Sequence, residues 1–168
     1  SGINSIPDLV GRTLAFTSPT SNSGFKAPTA LLSAQFGFTA DQDYKTSYSG
    51  SHDNSILGVV HKDYDAAAIA NEVLFRMLTR GVIREDQYKT IYQSESFPTT
   101  GYGVSNDLNP ALAAKIKEAF FSFDWEGTAL QREFADAGME KFIPISYQEH
   151  WAVVRTIDEA TNTIYNCD

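Results

Sequence analysis

Residues 18–24, Ser18-Pro19-Thr20-Ser21-Asn22-Ser23-Gly24, lie between a strand-like apolar segment, Thr13-Leu14-Ala15-Phe16, and a helix-like segment that begins near Phe25. The order strand, polar turn, helix points to an α/β fold. Small hydroxyl and amide side chains crowd the start of that helix, where backbone N–H groups are unpaired and the helix dipole is positive. Ser21, Asn22 and Ser23 can add donors aimed at the same point, which is the chemistry of an oxyanion site. No Lys or Arg lies within the run, so an anion there would be held by neutral dipoles. The plain alternative is a helix cap, since Ser and Asn are preferred caps in any protein, and from the run alone the cap is the commoner reading.

The same alternation continues outward. Residues 6–11 read as a short helical turn with a stop, leading into the strand. After the serine run, Phe25, Ala27, Pro28, Leu31, Leu32 and Phe36 recur near a 3.6 period and Gly37 ends the helix; Pro28 fits only in its first turn. Residues 44–48 predict a strand, and Ser49-Gly50-Ser51-His52-Asp53 a second polar lead-in, to a helix over 54–60. Residues 66–70 predict a third strand, after which Asn71 and Glu72 open a helix with Val73, Leu74, Met77 and Leu78 on one side. Further strands are predicted over 89–92 and 101–105, separated by a polar, proline-marked turn over 94–100. The whole reads as an open, mostly parallel sheet with helices on both faces. Ligands in such sheets bind outside the carboxyl ends of the strands, so the polar segments 18–24, 49–53, 71–72 and 94–100 are expected on one rim.

Beyond residue 106 the pattern turns helical. Asp107 or Asn109 caps a helix with Pro110 in its first turn and an apolar stripe of Leu112, Ile116, Ala119, Phe120 and Phe123. A second helix over 128–137 stops at Gly138, and a tail containing Phe142-Ile143-Pro144 and Trp151 follows. This divides the chain into an α/β ligand-binding lobe, residues 1–106, and a C-terminal helical segment, residues 107–168.

Composition narrows the chemistry. A chain of 168 residues with 42% hydrophobic content suits one globular domain or one lobe of a larger protein. No apolar stretch approaches the roughly 20 residues of a membrane-spanning helix. The formal charge of −8 argues against a nucleic-acid partner, because phosphate backbones demand a cationic surface. Cys167 stands alone, so no internal disulfide forms, and the start at Ser1-Gly2 reads as processed or engineered, with no signal segment in view. His52, His61 and His150 lack metal-site spacing, so neither a metal nor a cofactor is expected. There is no nucleophile elbow, phosphate loop or dinucleotide fingerprint. His52 faces either an anion or solvent, and Glu72 either favours the helix dipole or meets a ligand amine.

Residues 8–16 and 18–25 together resemble the Asp-Leu-Lys-Gly-Lys and Ser-Thr-Ser-Gly signature of phosphonate-type periplasmic binding proteins, the solute receptors of ABC importers for phosphonates, phosphite and phosphate. The match runs on through Gly50-Ser51-His52-Asp53, residues 64–68, residues 94–98, Tyr102 and Asp107-Leu108-Asn109-Pro110, and reaches residues 137–144 and 151–155. The resemblance implies a lobe of the type II periplasmic-binding-protein kind that closes on its ligand like a hinge. It also implies that Ser21, Asn22, Ser23 and Gly24 with His52 hold the oxyanion and that Glu72 reads the ligand's substituent. Asn22 stands where the family has Thr, and Thr99 and Thr100 stand near the family's aspartate, a change that weakens the case for an aminoalkylphosphonate.

On this resemblance the chain begins where the family's second lobe normally starts, and its C-terminal helices normally return to the other lobe. Their apolar stripe would then be exposed, self-packed or covered by a second copy; a homo-oligomer or a fragment would each account for this. The implied function is capture of a small phosphonate, phosphite or phosphate in the periplasm for an ABC permease, without catalysis. The alternatives are an extracytoplasmic sensor for the same ligands, a truncated receptor that does not bind alone, and an α/β phosphoryl or ester hydrolase.

Overall fold

The computed structural model of the protein describes residues 2–97, 101–135 and 138–160. Strands β1 (Thr13–Phe16), β2 (Lys45–Tyr48) and β3 (Ala66–Ala67) form a parallel sheet in the order β2-β1-β3. Phe16 stands opposite Tyr48, and Ala15 opposite Ala67. With β1 in the centre, the chain moves one way to reach β2 and crosses back to reach β3, so right-handed connections place the intervening helices on opposite faces. The packing agrees. Leu32 of α1 (Ala27–Phe36) joins Leu14, Phe16 and Tyr44 in one core, together with Ile3, Ile6 and Leu9. Ile56 of α2 (His52–His61) joins Val73 and Met77 of α3 (Asn71–Thr79), with Ala70 and Ile83, in the other. Leu14 and Phe16 share a face because strand side chains alternate. Phe16, 0% exposed, contributes roughly 1.5–3 kcal/mol by burial alone.

Local signals account for most element ends. The short 3-10 turn Ile6–Leu9 precedes β1, as the early stop predicted. Pro28 falls in the first turn of α1, and Gly37 ends that helix at φ +67, a left-handed value that glycine adopts without penalty. One feature was not anticipated. The chain enters α1 through a π-helical turn, Asn22–Lys26, whose wider closure is marked by the Lys26 N–H donating to the Ser21 carbonyl at 3.0 Å.

Several expectations are corrected. α2 begins at His52 rather than Asn54, because Ser51 Oγ accepts the Asn54 N–H at 3.2 Å and so fixes the cap two residues earlier. β3 covers two residues rather than five. Ala68 N–H still reaches the Ala15 carbonyl at 2.9 Å, but the Ala70 N–H turns to the His52 ring, and the chain leaves the sheet. Residues 89–92 and 101–105 are irregular, not strands. Ile91 and Tyr88 are drawn into the two cores as side chains, and neither segment gains the backbone ladder that a strand requires.

Of the later helices, α4 (Pro110–Phe121) is capped by Asn109 Oδ1, which accepts the N–H of Ala111 at 2.9 Å. It buries no residue. Thr128 caps α5 (Ala129–Phe134), and Gly138 takes φ +72 beyond it. α5 is tied to α3 by Arg80 on Glu133, with nitrogen–oxygen distances of 2.7 and 2.5 Å. α6 (Tyr147–His150) leads into α7 (Ala152–Ala160), which packs on α1 and on the π turn. Tyr102, Phe120, Trp125 and Phe142 cluster edge to face or tilted, with ring centroids 5.0–6.2 Å apart.

Gly58 in α2 closes against Tyr64, whose ring would lie 2.4 Å from an added Cβ. Gly58→Ala is therefore expected to destabilise the protein by about 1–3 kcal/mol, although Ala is the better helix former. In a Tyr64→Ala background the same substitution should become neutral or stabilising, as read by urea denaturation.

Candidate functional site

Three helix starts meet at the carboxyl edge of the sheet. The peptide of Thr17, just past β1, joins the first two: its N–H donates to the Gly24 carbonyl at 3.1 Å, and its carbonyl accepts the Gly50 N–H at 2.9 Å. Ser49 N–H reaches the Phe16 carbonyl at 2.9 Å, and Ser49 Oγ lies 2.6 Å from the buried Ser55 hydroxyl, which anchors the lead-in to α2 beneath its first turn. The third start is joined by His52. Its Nδ1 accepts the Ala70 N–H at 3.0 Å, and Ala70 is the residue from which α3 begins. Hydrogen bonds thus connect 21–24, 50–52 and 70–72 without a break. The predicted segment 94–100 follows no strand, and Thr99 and Thr100 lie outside the described residues.

Ser21 is a cap, the plainer of the two readings that the sequence left open. As the cap of the π turn, its Oγ accepts the Gly24 N–H at 3.0 Å. The hydroxyl proton is left to donate outward. The N–H groups of Asn22 and Ser23, in the first turn, have no carbonyl one turn back to bond. Their side chains are half-buried. The Gly24 N–H is occupied by the cap, so the glycine serves a different purpose: an added Cβ would lie 2.1 Å from Thr17 Oγ1 and 2.6 Å from Thr17 Cγ2. Only a residue without a Cβ lets the helix start approach the end of β1 this closely.

His52 is the first residue of α2 and is half-buried. Burial pushes its pKa below the ordinary histidine value, the carboxylates of Glu72 and Asp53 pull it back upward, and Arg76 pushes it down. A ring nitrogen that accepts a backbone N–H carries no proton, so the neutral ring places its hydrogen on Nε2. His52 is then a neutral donor of fixed tautomer. Glu72, in the first turn of α3, is half-buried and close enough to act on the His52 ring. Among the described residues no group of His, Cys, Asp and Glu could hold a metal ion, and no helix is long and apolar enough to cross a membrane.

The sequence did not single out Thr17. It is 3% exposed, and its Oγ1 has no hydrogen-bond partner among the described residues. Its position directly before Ser18 was the available signal, but nothing local says that Gly24 and Gly50 close over it. The Ala70 N–H was equally hidden, since it is 18 residues from the ring it orients.

Two expected outcomes follow from this geometry. Gly24→Ala should cost about 1–3 kcal/mol of stability in chemical denaturation, and adding Thr17→Ala should recover part of it. For His52 the sign is set by a folded pKa below the unfolded one: its contribution is complete above the ordinary value of about 6.5 and is lost as pH falls through the folded pKa. His52→Asn, which offers an acceptor near Nδ1 but does not titrate, should lose less melting temperature than wild type between about pH 7 and pH 5 in scanning calorimetry.

Comparison with known proteins places this chain in a family. Residues 1–151 match the model described as ABC transporter, phosphonate, periplasmic substrate-binding protein. The chain is 30% identical over 138 residues to the phosphate-import protein PhnD of Mycolicibacterium smegmatis, a match that covers 74% of this chain and 43% of that protein. It thus spans less than half of that curated relative. Among solved structures, PhnD1 from Prochlorococcus marinus in complex with methylphosphonate superposes with a TM-score of 0.74 at 20% identity, over 96% of this chain and 63% of that one. A Xanthomonas citri protein bound to ATP superposes with a TM-score of 0.67 at 20% identity, over 98% and 65%. At such identities these two likenesses speak for the shared fold, and the family model speaks for membership. The chain belongs to the phosphonate-type periplasmic substrate-binding proteins of ABC transporters.

Proposed function

We propose that this chain forms the ligand-holding lobe of a periplasmic receptor that captures a phosphonate, or a related tetrahedral phosphorus oxyanion, and delivers it to an ABC permease. The observation that carries the reading is the hydrogen-bonded chain from Gly24 through Thr17 and Gly50 to His52 and Ala70, which gathers three helix starts on one rim. Donors of a matching kind converge there. The Ser21 and Ser23 hydroxyls, the Asn22 amide and the first-turn N–H groups bind the oxygens, and His52 adds Nε2–H. These donors are uncharged, and hydrogen bonds from such groups to a charged oxygen are stronger than neutral pairs while leaving release within reach. Glu72 beside His52 reads a protonated oxygen or the ligand's substituent. Thr99 and Thr100 belong to the same ligand set on family grounds.

Capture runs against a net charge of −8, so recognition has to be local. Residues 107–168 serve as the segment that returns to a facing lobe. In support, no residue of α4 is fully buried here, and Leu112, Phe121 and Phe123 are about half exposed.

Titration calorimetry with phosphate, phosphite, methylphosphonate and 2-aminoethylphosphonate tests the reading. Saturable binding of at least one is expected, with the affinity lowered about tenfold or more by Ser23→Ala, the scale of one hydrogen bond to a charged group. No phosphate should be released from a chromogenic phosphoester. Silence for all four ligands, or turnover of the ester, would overturn the proposal.

A further inference from the structure

α3 carries two charged side chains that the fold does not match to each other. Glu72 and Arg76 stand four residues apart, the spacing at which an acid and a base on one helix commonly pair, yet no ion pair joins them. Arg76 is drawn aside by the neighbouring helices. Its Nε lies 3.7 Å from Glu133 Oε1 of α5, and its Nη2 lies 4.0 Å from Asp53 Oδ1 of α2. Neither distance is a hydrogen bond, and among the described residues the guanidinium, 25% exposed, makes none, so its donors are open. Asp53 is the neighbour of His52, which puts the guanidinium on the rim side of its helix. Glu72 likewise has no ion-pair partner among the described residues, although its charge acts on the His52 ring, as does that of Arg76.

Both side chains line a cavity of about 50 Å³ between α3 and α5, which Arg80, Arg132 and Glu133 line as well. Roughly 10–15 Å³ suffices for a water, so the cavity has room for a small polar group. Glu133 is engaged by Arg80 at 2.7 and 2.5 Å, and Arg132 directs one donor to the Gly127 carbonyl at 3.2 Å. Three guanidiniums against two carboxylates leave this lining positive, in a protein whose net charge is −8. An ammonium would satisfy Glu72 but leave Arg76 without an acceptor. A carboxylate alone would satisfy Arg76 but face the Glu72 charge. A group that carries both answers both.

We propose that the ligand is a phosphonate whose substituent ends in an α-amino acid group, its ammonium on Glu72 and its carboxylate bidentate on Arg76. The inference rests on the receptor reading above and names the substrate class of that same site. The phosphonate end stays with the uncharged donors of the rim, and the charged pair on α3 selects among phosphonates by their substituents.

Calorimetry at pH 7 with four probes reads the preference directly. 2-Amino-3-phosphonopropionate carries both groups, 2-aminoethylphosphonate lacks the carboxylate, 3-phosphonopropionate lacks the ammonium and methylphosphonate lacks both. The first should bind about tenfold or more tightly than each of the others, the scale of one charge-assisted pair. Arg76→Lys keeps the charge but loses the planar fork, so within that variant the preference over 2-aminoethylphosphonate should shrink to about twofold or less. An Arg76 that only ties α2 to α5, or acts only through its field, would leave the preference intact in Arg76→Lys. That result overturns the proposal, and so does wild type that does not prefer the amino acid, a comparison that needs no variant. Wild type that binds none of the four probes, nor phosphate, overturns the receptor reading and this inference together; wild type that binds phosphate or methylphosphonate without preferring the amino acid overturns this inference alone.

Discussion

The peptide of Thr17 is bonded on both sides, to the Gly24 carbonyl through its N–H and to the Gly50 N–H through its carbonyl. The Gly50 bond extends the pairing of β1 and β2 beyond the sheet, and the two bonds together bring the starts of two helices to one point. They need a helix start with no side chain at the contact, because an added Cβ on Gly24 would overlap the Thr17 side chain. They also need the parallel register in which Phe16 faces Tyr48, since a slip of one residue would reverse which side chains face the core. Without that crossing the serine run would cap a helix and nothing more.

Polarity at the rim follows from the same arrangement. Ser21 satisfies the Gly24 N–H from within the turn. Ala70 satisfies His52 from the neighbouring helix start and thereby fixes which nitrogen carries the proton. Burial keeps the ring neutral although two carboxylates, Glu72 and Asp53, act against it. The outcome is a cluster of uncharged hydrogen-bonding groups at the rim of an acidic protein.

Among the described residues, ion pairs and the packing of α7 on α1 and on the π turn hold the C-terminal segment to the lobe. Exposed arginine–glutamate pairs join α3 to α5, and pairs of that kind contribute little to stability in water. The Lys26–Asp158 pair joins α7 to the π turn in a much drier setting. Between these contacts, α4 offers a half-exposed apolar face.

By itself the sequence determined what local physics decides. Alternation around Leu14 and Phe16, the caps at Ser21 and Asn109, the first-turn place of Pro28 and the stop at Gly37 are all signals carried within a few residues. The helix starts that hold Ser21 to Gly24, His52 and Glu72 were legible for the same reason. Tertiary structure decided the rest. Residues 89–92 and 101–105 carry strand-like side chains but no strand, because a strand exists only where a neighbour offers its backbone. The π turn, the burial of Thr17, the tautomer of His52 and the capture of Lys26 by Asp158 each depend on a partner contributed by another part of the fold. No local pattern encodes such a partner, since it arises only when packing brings distant segments within bonding distance.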